Sequence, residues 1–173
     1  MTSAQIKKTI RDIPDFPKRG IIFKDITTLL KDKKALKATI DIMAKEIAKS
    51  KPKYIVGIES RGFIFGTAIA YKLGVGFIPV RKKGKLPAKT RAVSYDLEYG
   101  QDTLEIHADA LKKGDRVVIV DDLLATGGTV GAVVQLVKGS GASIKGLSFV
   151  IELEFLNGRD KLKGLPFFSV IQY

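Results

Sequence analysis

The chain has 173 residues, of which 45% are hydrophobic and 28% are charged, as expected for one globular domain rather than a disordered segment. Because it contains no cysteine, the sequence excludes a disulfide framework, a thiolate metal site and a cysteine nucleophile. Its net charge of +12 attracts polyanions such as nucleic acid, an anionic membrane or phosphorylated metabolites, and the sign alone does not choose among them.

The N-terminal forty residues contain no clear strand and no apolar segment typical of a signal peptide. No window of the sequence is long and apolar enough to cross a bilayer, so we expect a soluble, cytoplasmic protein with no membrane partner. The loop IPDFPKRGIIFKDIT carries two prolines and several apolar side chains. We expect residues 1–31 to form a hood over a site, within a single domain of residues 1–173.

A long helix is predicted next, over residues 32–50. Its apolar residues recur at helical spacing, and they are Ala35, Leu36, Ile40, Met43, Ile47 and Ala48. The β-branched run YIVGI then predicts a buried strand, followed by the loop ESRG. A second helix is predicted over residues 63–74, where Gly74 ends it.

Residues 76–80 predict another buried strand, after which RKKGKLPAKT is too basic and too rich in glycine and proline to pack. From Val93 to His107 polar and apolar residues alternate, which predicts two antiparallel strands around a turn at Tyr99 and Gly100. Residues 81–107 are therefore expected to form a basic loop and a β-flap.

The last part of the chain alternates again. RVVIVD predicts a strand, residues 129–138 a helix, and GLSFVIE a further strand, with a closing extension after Gly164. Strands that alternate with helices favour parallel pairing. We therefore predict an α/β fold with a mostly parallel central sheet flanked by helices.

The run VVIVDDLLATGGT is the clearest candidate for chemistry. Its strand brings Asp121 and Asp122 to the carboxyl edge of the sheet, where α/β folds bind ligands. A turn then opens a helix, where free N–H groups and the helix dipole favour a phosphate; its residues are Ala125, Thr126, Gly127, Gly128 and Thr129. The carboxylates can accept hydrogen bonds from sugar hydroxyls or bind hydrated magnesium, so a ribose 5-phosphate suits both halves.

Other families with a phosphate-binding loop or an acidic pair fit poorly. The loop lacks the lysine of a P-loop, and no G-x-G-x-x-G follows a strand. A receiver domain that opens on VVIVDD would need about a hundred further residues of alternating strand and helix, more than follow Asp122.

An acidic pair followed by TGGT after an apolar strand resembles the motif of type I phosphoribosyltransferases, in the version found in members that act on adenine. The likeness extends over nearly the whole chain, through FPKRGIIFKDIT, GIESRGFIFG, RKKGKLP, SYDLEYG and PFFSVIQY. It implies the type I fold and transfer of a 5-phosphoribosyl group from 5-phosphoribosyl 1-pyrophosphate to adenine, giving AMP and pyrophosphate in purine salvage. It also implies a homodimer and Mg²⁺ held mainly by substrate and water, with no direct protein ligand.

The resemblance assigns the remaining site residues. Asp121 and Asp122 would bind the ribose hydroxyls, Glu98 on the flap would serve as acid and base for the purine nitrogens, and Arg61 would act in catalysis. Pyrophosphate would be bound by Arg61, Arg81, Lys82 and Lys85. The base would meet the hood at Ile22, Phe23 and Lys24, by stacking and backbone contacts. Lys24 departs from the arginine that we associate with this position.

Two alternatives stay open from the sequence. One is a phosphoribosyl-sensing regulatory protein that binds nucleic acid through its positive charge, although no helix-turn-helix is visible and we expect no nucleic-acid partner. The other is a phosphoribosyltransferase for a different purine base. An assay with competing bases distinguishes these two alternatives from transfer to adenine.

Overall fold

The computed structural model describes residues 1–96 and 100–173. Its helices are α1 (Ser3–Lys7), α2 (Thr27–Lys31), α3 (Lys33–Ala48), α4 (Arg61–Leu73) and α5 (Gly128–Gly139). Its strands are β1 (Arg11–Pro14), β2 (Ile22–Asp25), β3 (Tyr54–Ile58), β4 (Gly76–Lys82), β5 (Thr90–Asp96), β6 (Gln101–His107), β7 (Arg116–Leu124), β8 (Ser143–Glu152) and β9 (Phe167–Gln172). Two 3₁₀ turns, Glu154–Leu156 and Gly158–Leu162, lie between β8 and β9.

Seven of the described strands form one sheet, in the order β5-β6-β4-β3-β7-β8-β9. The β4-β3-β7-β8-β9 part is parallel, and the β5–β6 hairpin joins its edge in antiparallel fashion through β4. The predicted α/β fold with a mostly parallel sheet is therefore confirmed. Residues 97–99, which include part of the predicted flap turn, lie outside the described residues.

The central strands are buried on both faces, and their side chains alternate between two cores. Val117 and Ile119 of β7 pack on the side covered by α5. Val118 and Val120 pack on the side covered by α3, α4 and the N-terminal segment. Burial on both faces explains why these strands read as continuous apolar runs in the sequence.

Helix boundaries agree closely with the sequence. Asp32 caps α3 by accepting hydrogen bonds from the backbone N–H groups of Lys34 and Ala35, at 2.8 and 3.1 Å. Gly74 ends α4 in the left-handed conformation, at φ 65°. Helix α4 begins two residues earlier than predicted, so the arginine of ESRG lies in its first turn.

The expectation that the first forty residues hold no clear strand was wrong. Strands β1 and β2 pair as an antiparallel hairpin, in which Ile13 lies opposite Phe23. Each strand has only four residues and half of these eight residues are exposed, so neither strand shows a clear period of apolar side chains. The C-terminal extension forms β9, which extends the parallel sheet.

The hairpin is tied to the C-terminus and to α2. The ammonium groups of Lys7 and Lys24 lie 4.0 and 3.8 Å from the ring centroid of Tyr173. Asp25, at the end of β2, accepts hydrogen bonds from the Thr27 backbone N–H at 2.8 Å and from the Arg11 Nε at 3.1 Å.

Among the helices of the described residues, none has the length and apolar character needed to span a membrane.

We predict that Asp25 stabilises the hood only where it is ionised. The Thr27 backbone and hydroxyl and the Arg11 guanidinium lower the pKa of Asp25 to about 2. A lowered pKa in the folded state gives stability that is present above the unfolded pKa of about 3.9 and is lost as the pH falls toward 2. Asp25→Asn should therefore lower Tm at about pH 6 and have a smaller effect at about pH 3.

Thermal unfolding followed by circular dichroism at both pH values measures this difference. Asp160→Asn is the control. The Asp160 carboxylate is exposed, and its ion pair with Lys163, at 3.7 Å, lies on the surface, where such pairs contribute little to stability. An Asp25→Asn effect that is equal at the two pH values would contradict the prediction.

Candidate active site

A cavity of about 480 Å³ opens at the carboxyl edge of the parallel sheet. Residues 59–61 after β3 and residues 121–130 of β7 and α5 line it. The hairpin side contributes Lys82, Tyr95, Asp102 and Leu104. The predicted acidic pair, the predicted phosphate loop and part of the predicted basic segment therefore line the same cavity.

The phosphate loop is the stretch 125–129, and all five residues line the cavity. Gly127 precedes α5 in the left-handed conformation, at φ 79°, and no side chain caps the helix. The first N–H groups of a helix have no intrahelical acceptor, and the helix dipole adds positive potential there. The loop can therefore bind an anion through its backbone.

Asp121 and Asp122 lie side by side on β7, just before this loop. Oδ1 of Asp121 accepts a hydrogen bond from the Asp122 backbone N–H at 2.9 Å. Burial raises the pKa of Asp121 well above its ordinary value, and the neighbouring Asp122 charge raises it further. Burial also raises the pKa of Asp122, although Arg61 opposes this effect. The pair therefore favours ligands that donate hydrogen bonds or carry positive charge.

Arg61 is the cation closest to the acidic pair. Its Nε lies 2.9 Å from Oδ2 of Asp122, but this oxygen receives no hydrogen bond from any described residue. The close approach depends on Gly62, because a Cβ there would lie 2.7 Å from Oδ1 of Asp121 and 2.9 Å from the Val120 carbonyl. A side chain at position 62 would push the first turn of α4 away from the pair.

The four predicted pyrophosphate ligands occupy different places. Arg61 and Lys82 line the cavity. The guanidinium of Arg81 instead contacts Glu59, with its Nη2 3.1 Å from Oε1 and its Nε 3.2 Å from Oε2. Arg81 also donates to the backbone carbonyl of Lys85 at 3.2 Å, and the side chain of Lys85 lies outside the cavity lining.

Glu59 is a functional candidate that the sequence reasoning missed. Besides contacting Arg81, it accepts a hydrogen bond from the Lys82 backbone N–H at 2.9 Å. The Arg81 guanidinium lowers the pKa of Glu59, so this carboxylate stays ionised. Glu59 follows β3 while Arg81 and Lys82 end the neighbouring parallel strand β4. Parallel pairing of two successive strands was the available signal that these residues meet.

The hood residues lie beside the cavity rather than in its lining. Ile22 is 55% exposed, and Lys24 pairs with Asp12 at 2.8 Å. The Phe23 ring lies 5.3 Å from the Arg61 guanidinium carbon. Arg61 therefore connects the hood to the acidic pair, and the Lys24 side chain is already engaged elsewhere.

The flap hairpin reaches the phosphate loop through Tyr95. Its hydroxyl lies 3.4 Å from both the Thr129 hydroxyl and a carboxylate oxygen of Asp102. The same Asp102 oxygen is 3.2 Å from the Lys82 ammonium. The Tyr95 ring also packs on the loop, 3.6 Å from where a Cβ of Gly128 would lie. Glu98, the predicted acid and base, lies outside the described residues.

Comparison with known proteins shows the family of this chain. The family model of the phosphoribosyl transferase domain matches residues 25–154, and the chain belongs to this phosphoribosyltransferase family. More particularly, it is 59% identical over 169 residues to an adenine phosphoribosyltransferase of Trichodesmium erythraeum, covering 98% of this chain and 99% of the relative.

Two solved structures of adenine phosphoribosyltransferases show the same fold. The structure from Thermoanaerobacter pseudethanolicus is 55% identical, with a TM-score of 0.96, covering 99% of this chain and all of the other. The structure from Saccharomyces cerevisiae, in complex with adenine and an imino-altritol bisphosphate, is 40% identical, with a TM-score of 0.90 and 97% of each chain covered.

We predict that the Tyr95 hydroxyl helps to hold the phosphate loop. Tyr95→Phe keeps the ring against Gly128 but removes the group that bridges Asp102 and Thr129. The KM for the phosphoribosyl donor should rise about three- to tenfold, as expected for the loss of one hydrogen bond, with a smaller change in the KM for the base. Steady-state kinetics with each substrate varied in turn measures both constants.

Tyr71→Phe is the matched control, because Tyr71 is 91% exposed on α4 and removal of its hydroxyl should leave both constants unchanged. Equal donor KM values for Tyr95→Phe and the wild type would show that the hydroxyl does not support the loop.

Proposed function

We propose that this protein transfers a 5-phosphoribosyl group from 5-phosphoribosyl 1-pyrophosphate to adenine, giving AMP and pyrophosphate in purine salvage. The observation that carries the proposal is one cavity that joins a buried acidic pair to the uncapped N-terminus of α5. This arrangement suits a phosphorylated sugar, and relatives with 59% identity bear the name of the adenine-specific enzyme.

The phosphoribosyl half of the donor fits the loop and the acidic pair. The backbone N–H groups of residues 126–129 would hold the 5-phosphate at the start of α5. Asp121 and Asp122 would accept hydrogen bonds from the ribose hydroxyls. Because burial raises the pKa of both carboxylates, each hydroxyl donor relieves part of the cost of keeping them ionised.

The bond between ribose C1 and pyrophosphate breaks as the bond from adenine N9 to C1 forms. Negative charge then grows on the pyrophosphate while the sugar becomes oxocarbenium-like, so fixed cations beside the leaving group lower the barrier. Arg61 and Lys82 line the cavity and can meet this charge. We assign Arg81 and Lys85 to the same pyrophosphate leaving group. The Arg81 guanidinium would either move from Glu59 to contact the pyrophosphate or stabilise its charge from a distance.

Magnesium would be held mainly by the substrate and water. The described residues contain no group of three or more histidine or acidic side chains that could bind a metal ion by themselves. The acidic pair can still meet a hydrated ion, because Oδ2 of Asp122 accepts no hydrogen bond from a described residue. When bound, Mg²⁺ would neutralise charge on the leaving pyrophosphate.

The base would enter beside the hood, with Phe23 stacking on the purine and the backbone of Ile22 and Lys24 pairing with its edge. The contact of Lys24 with Asp12 and Tyr173 favours a backbone role for this residue, because its ammonium group is already occupied. Adenine offers a donor at N6 where hypoxanthine and guanine have an acceptor, so a fixed carbonyl discriminates between them. Glu98 would remove the N9 proton.

We also propose a single domain, a cytoplasmic location and a homodimer. Residues 1–173 would act as a single domain, since the N-terminal Lys7 and Lys24 contact the C-terminal Tyr173. The protein would work in the cytoplasm as a homodimer, with the exposed Ile64 of α4 as a candidate for the interface. Light scattering that gives the mass of one chain would contradict the dimer.

We expect turnover with adenine and Mg²⁺ and little or none with hypoxanthine, guanine or xanthine. The assay offers the four bases as competing acceptors and measures each mononucleotide by chromatography. Turnover of an oxopurine in place of adenine would favour another specificity. Failure with every base would favour the regulatory protein, which would then bind the donor without consuming it.

We also expect Glu98→Gln to lower kcat about a hundredfold or more while changing donor affinity little, because general acid–base catalysis contributes about 10²- to 10⁴-fold. Glu154→Gln is the control, since Glu154 lies in an exposed 3₁₀ turn outside the cavity. An unchanged kcat in the Glu98 variant would remove this residue from the chemistry.

A further inference from the structure

A turn near the C-terminus lies directly behind the phosphate loop. It comprises residues 157–159 and is called here the Gly158 turn. A Cβ on Gly158 would lie 2.2 Å from the Ala125 carbonyl oxygen and 3.1 Å from the Leu124 side chain. In the opposite direction, a Cβ on Gly127 would lie 2.6 Å from the Gly158 carbonyl oxygen. The two backbones therefore meet with no side chain between them.

The Gly158 turn is held firmly from behind. Arg159 binds the carboxylate of Glu152 at two points, through Nε and through Nη2, the second at 2.6 Å. The Glu152 side chain is only 3% exposed, and its Oε2 also accepts a hydrogen bond from the Ser169 hydroxyl at 2.9 Å. A buried carboxylate with both oxygens bound fixes its partner closely. The guanidinium of Arg159 also lies 4.2 Å from the centroid of the Phe167 ring.

The end of β8 connects this anchor to the loop. The Leu153 backbone N–H donates to the Leu124 carbonyl at 2.9 Å, directly before the phosphate loop begins. The 3₁₀ turn Gly158–Leu162 begins within the Gly158 turn. Its last residue, Leu162, is 4% exposed and packs in the core on the α5 side. The turn is thus attached to β8 on one side and to the α5 core on the other.

From these contacts we infer that Gly158 and the Glu152–Arg159 ion pair are positioning residues for phosphoribosyl binding. They act through the phosphate loop and touch no substrate. Gly158 lets the turn contact Ala125 and Gly127 directly, which keeps the loop N–H groups aimed into the cavity. The inference rests on the proposed function, since it assumes that this loop binds the 5-phosphate of the donor.

The test compares Gly158→Ala with the wild type. The new methyl group must move about 1 Å to reach an ordinary 3.4 Å contact with Ala125, and shifts of this size weaken positioned interactions strongly. We expect the Kd for ribose 5-phosphate, measured by isothermal titration, to rise about tenfold or more. The KM for adenine at saturating donor should change less than about threefold, because the base would be bound at the hood rather than at the phosphate loop.

Gly131→Ala is the matched control. Gly131 lies on α5 four residues after Gly127, and a Cβ there would meet no atom within 4 Å apart from its chain neighbours and the backbone of its own helix. This variant should bind ribose 5-phosphate like the wild type. Arg159→Lys is the second test variant: it keeps the charge but loses the two-point contact with Glu152. It should weaken ribose 5-phosphate binding about threefold or more.

The outcomes separate the inference from the proposed function. If the wild type binds ribose 5-phosphate and both test variants bind it within about twofold of the wild type, the inference is overturned while the function stands. If Gly158→Ala does not fold, Arg159→Lys decides by the same criterion. If the wild type neither binds ribose 5-phosphate nor converts adenine, the proposed function and this inference fail together.

Discussion

The carboxylates of Asp121 and Asp122 lie side by side at the buried end of β7. Keeping both of them ionised there costs free energy, and the other features of the candidate active site follow from this cost. Burial and mutual repulsion raise the pKa of Asp121, and burial raises that of Asp122. One cation, Arg61, lies 2.9 Å from the pair. A ligand rich in hydroxyl donors lowers the remaining cost, whereas a phosphate placed there would raise it. In the function proposed here, the phosphate would therefore bind a few residues further on, where α5 begins with free N–H groups.

The second constraint is that this arrangement is built from backbone contacts with little room for side chains. Gly62 allows the first turn of α4 to touch the acidic pair, and Gly127 and Gly158 allow two turns to meet behind the phosphate loop. Each contact would be disrupted by a single Cβ. The position of the loop is then set by the backbone packed behind it, and the cavity face of the loop is left to the ligand.

Much of this could be predicted from the sequence because the signals are local. The apolar strand, the acidic pair and the glycine-rich turn of residues 117–129 follow one another along the chain, so their placement at the sheet edge follows from the α/β pattern. The resemblance to phosphoribosyltransferases then supplied the substrate. The long helix over residues 33–48 and its end were visible from the spacing of its apolar residues.

Contacts between distant segments could not be predicted in the same way. The hydrogen bonds of Glu59 with Arg81, and the approach of Lys82 to Asp102, depend on strand order and register. The hood hairpin was missed because its strands have only four residues each, carry no clear apolar period and, among the described strands, pair only with each other. The packing of Gly158 on Ala125 has no local signal, since it joins residues that are separated by a helix and a strand.

The proposed function requires the N-terminus of α5 to hold the phosphate and the acidic pair to hold the sugar. A crystal structure of the protein with ribose 5-phosphate tests it most directly. We expect phosphate oxygens within hydrogen-bond distance of the backbone nitrogens of residues 126–129, and ribose hydroxyls within hydrogen-bond distance of Asp121 and Asp122. A phosphate bound instead by the lysines of residues 82–89, with the acidic pair facing no hydroxyl, would contradict it.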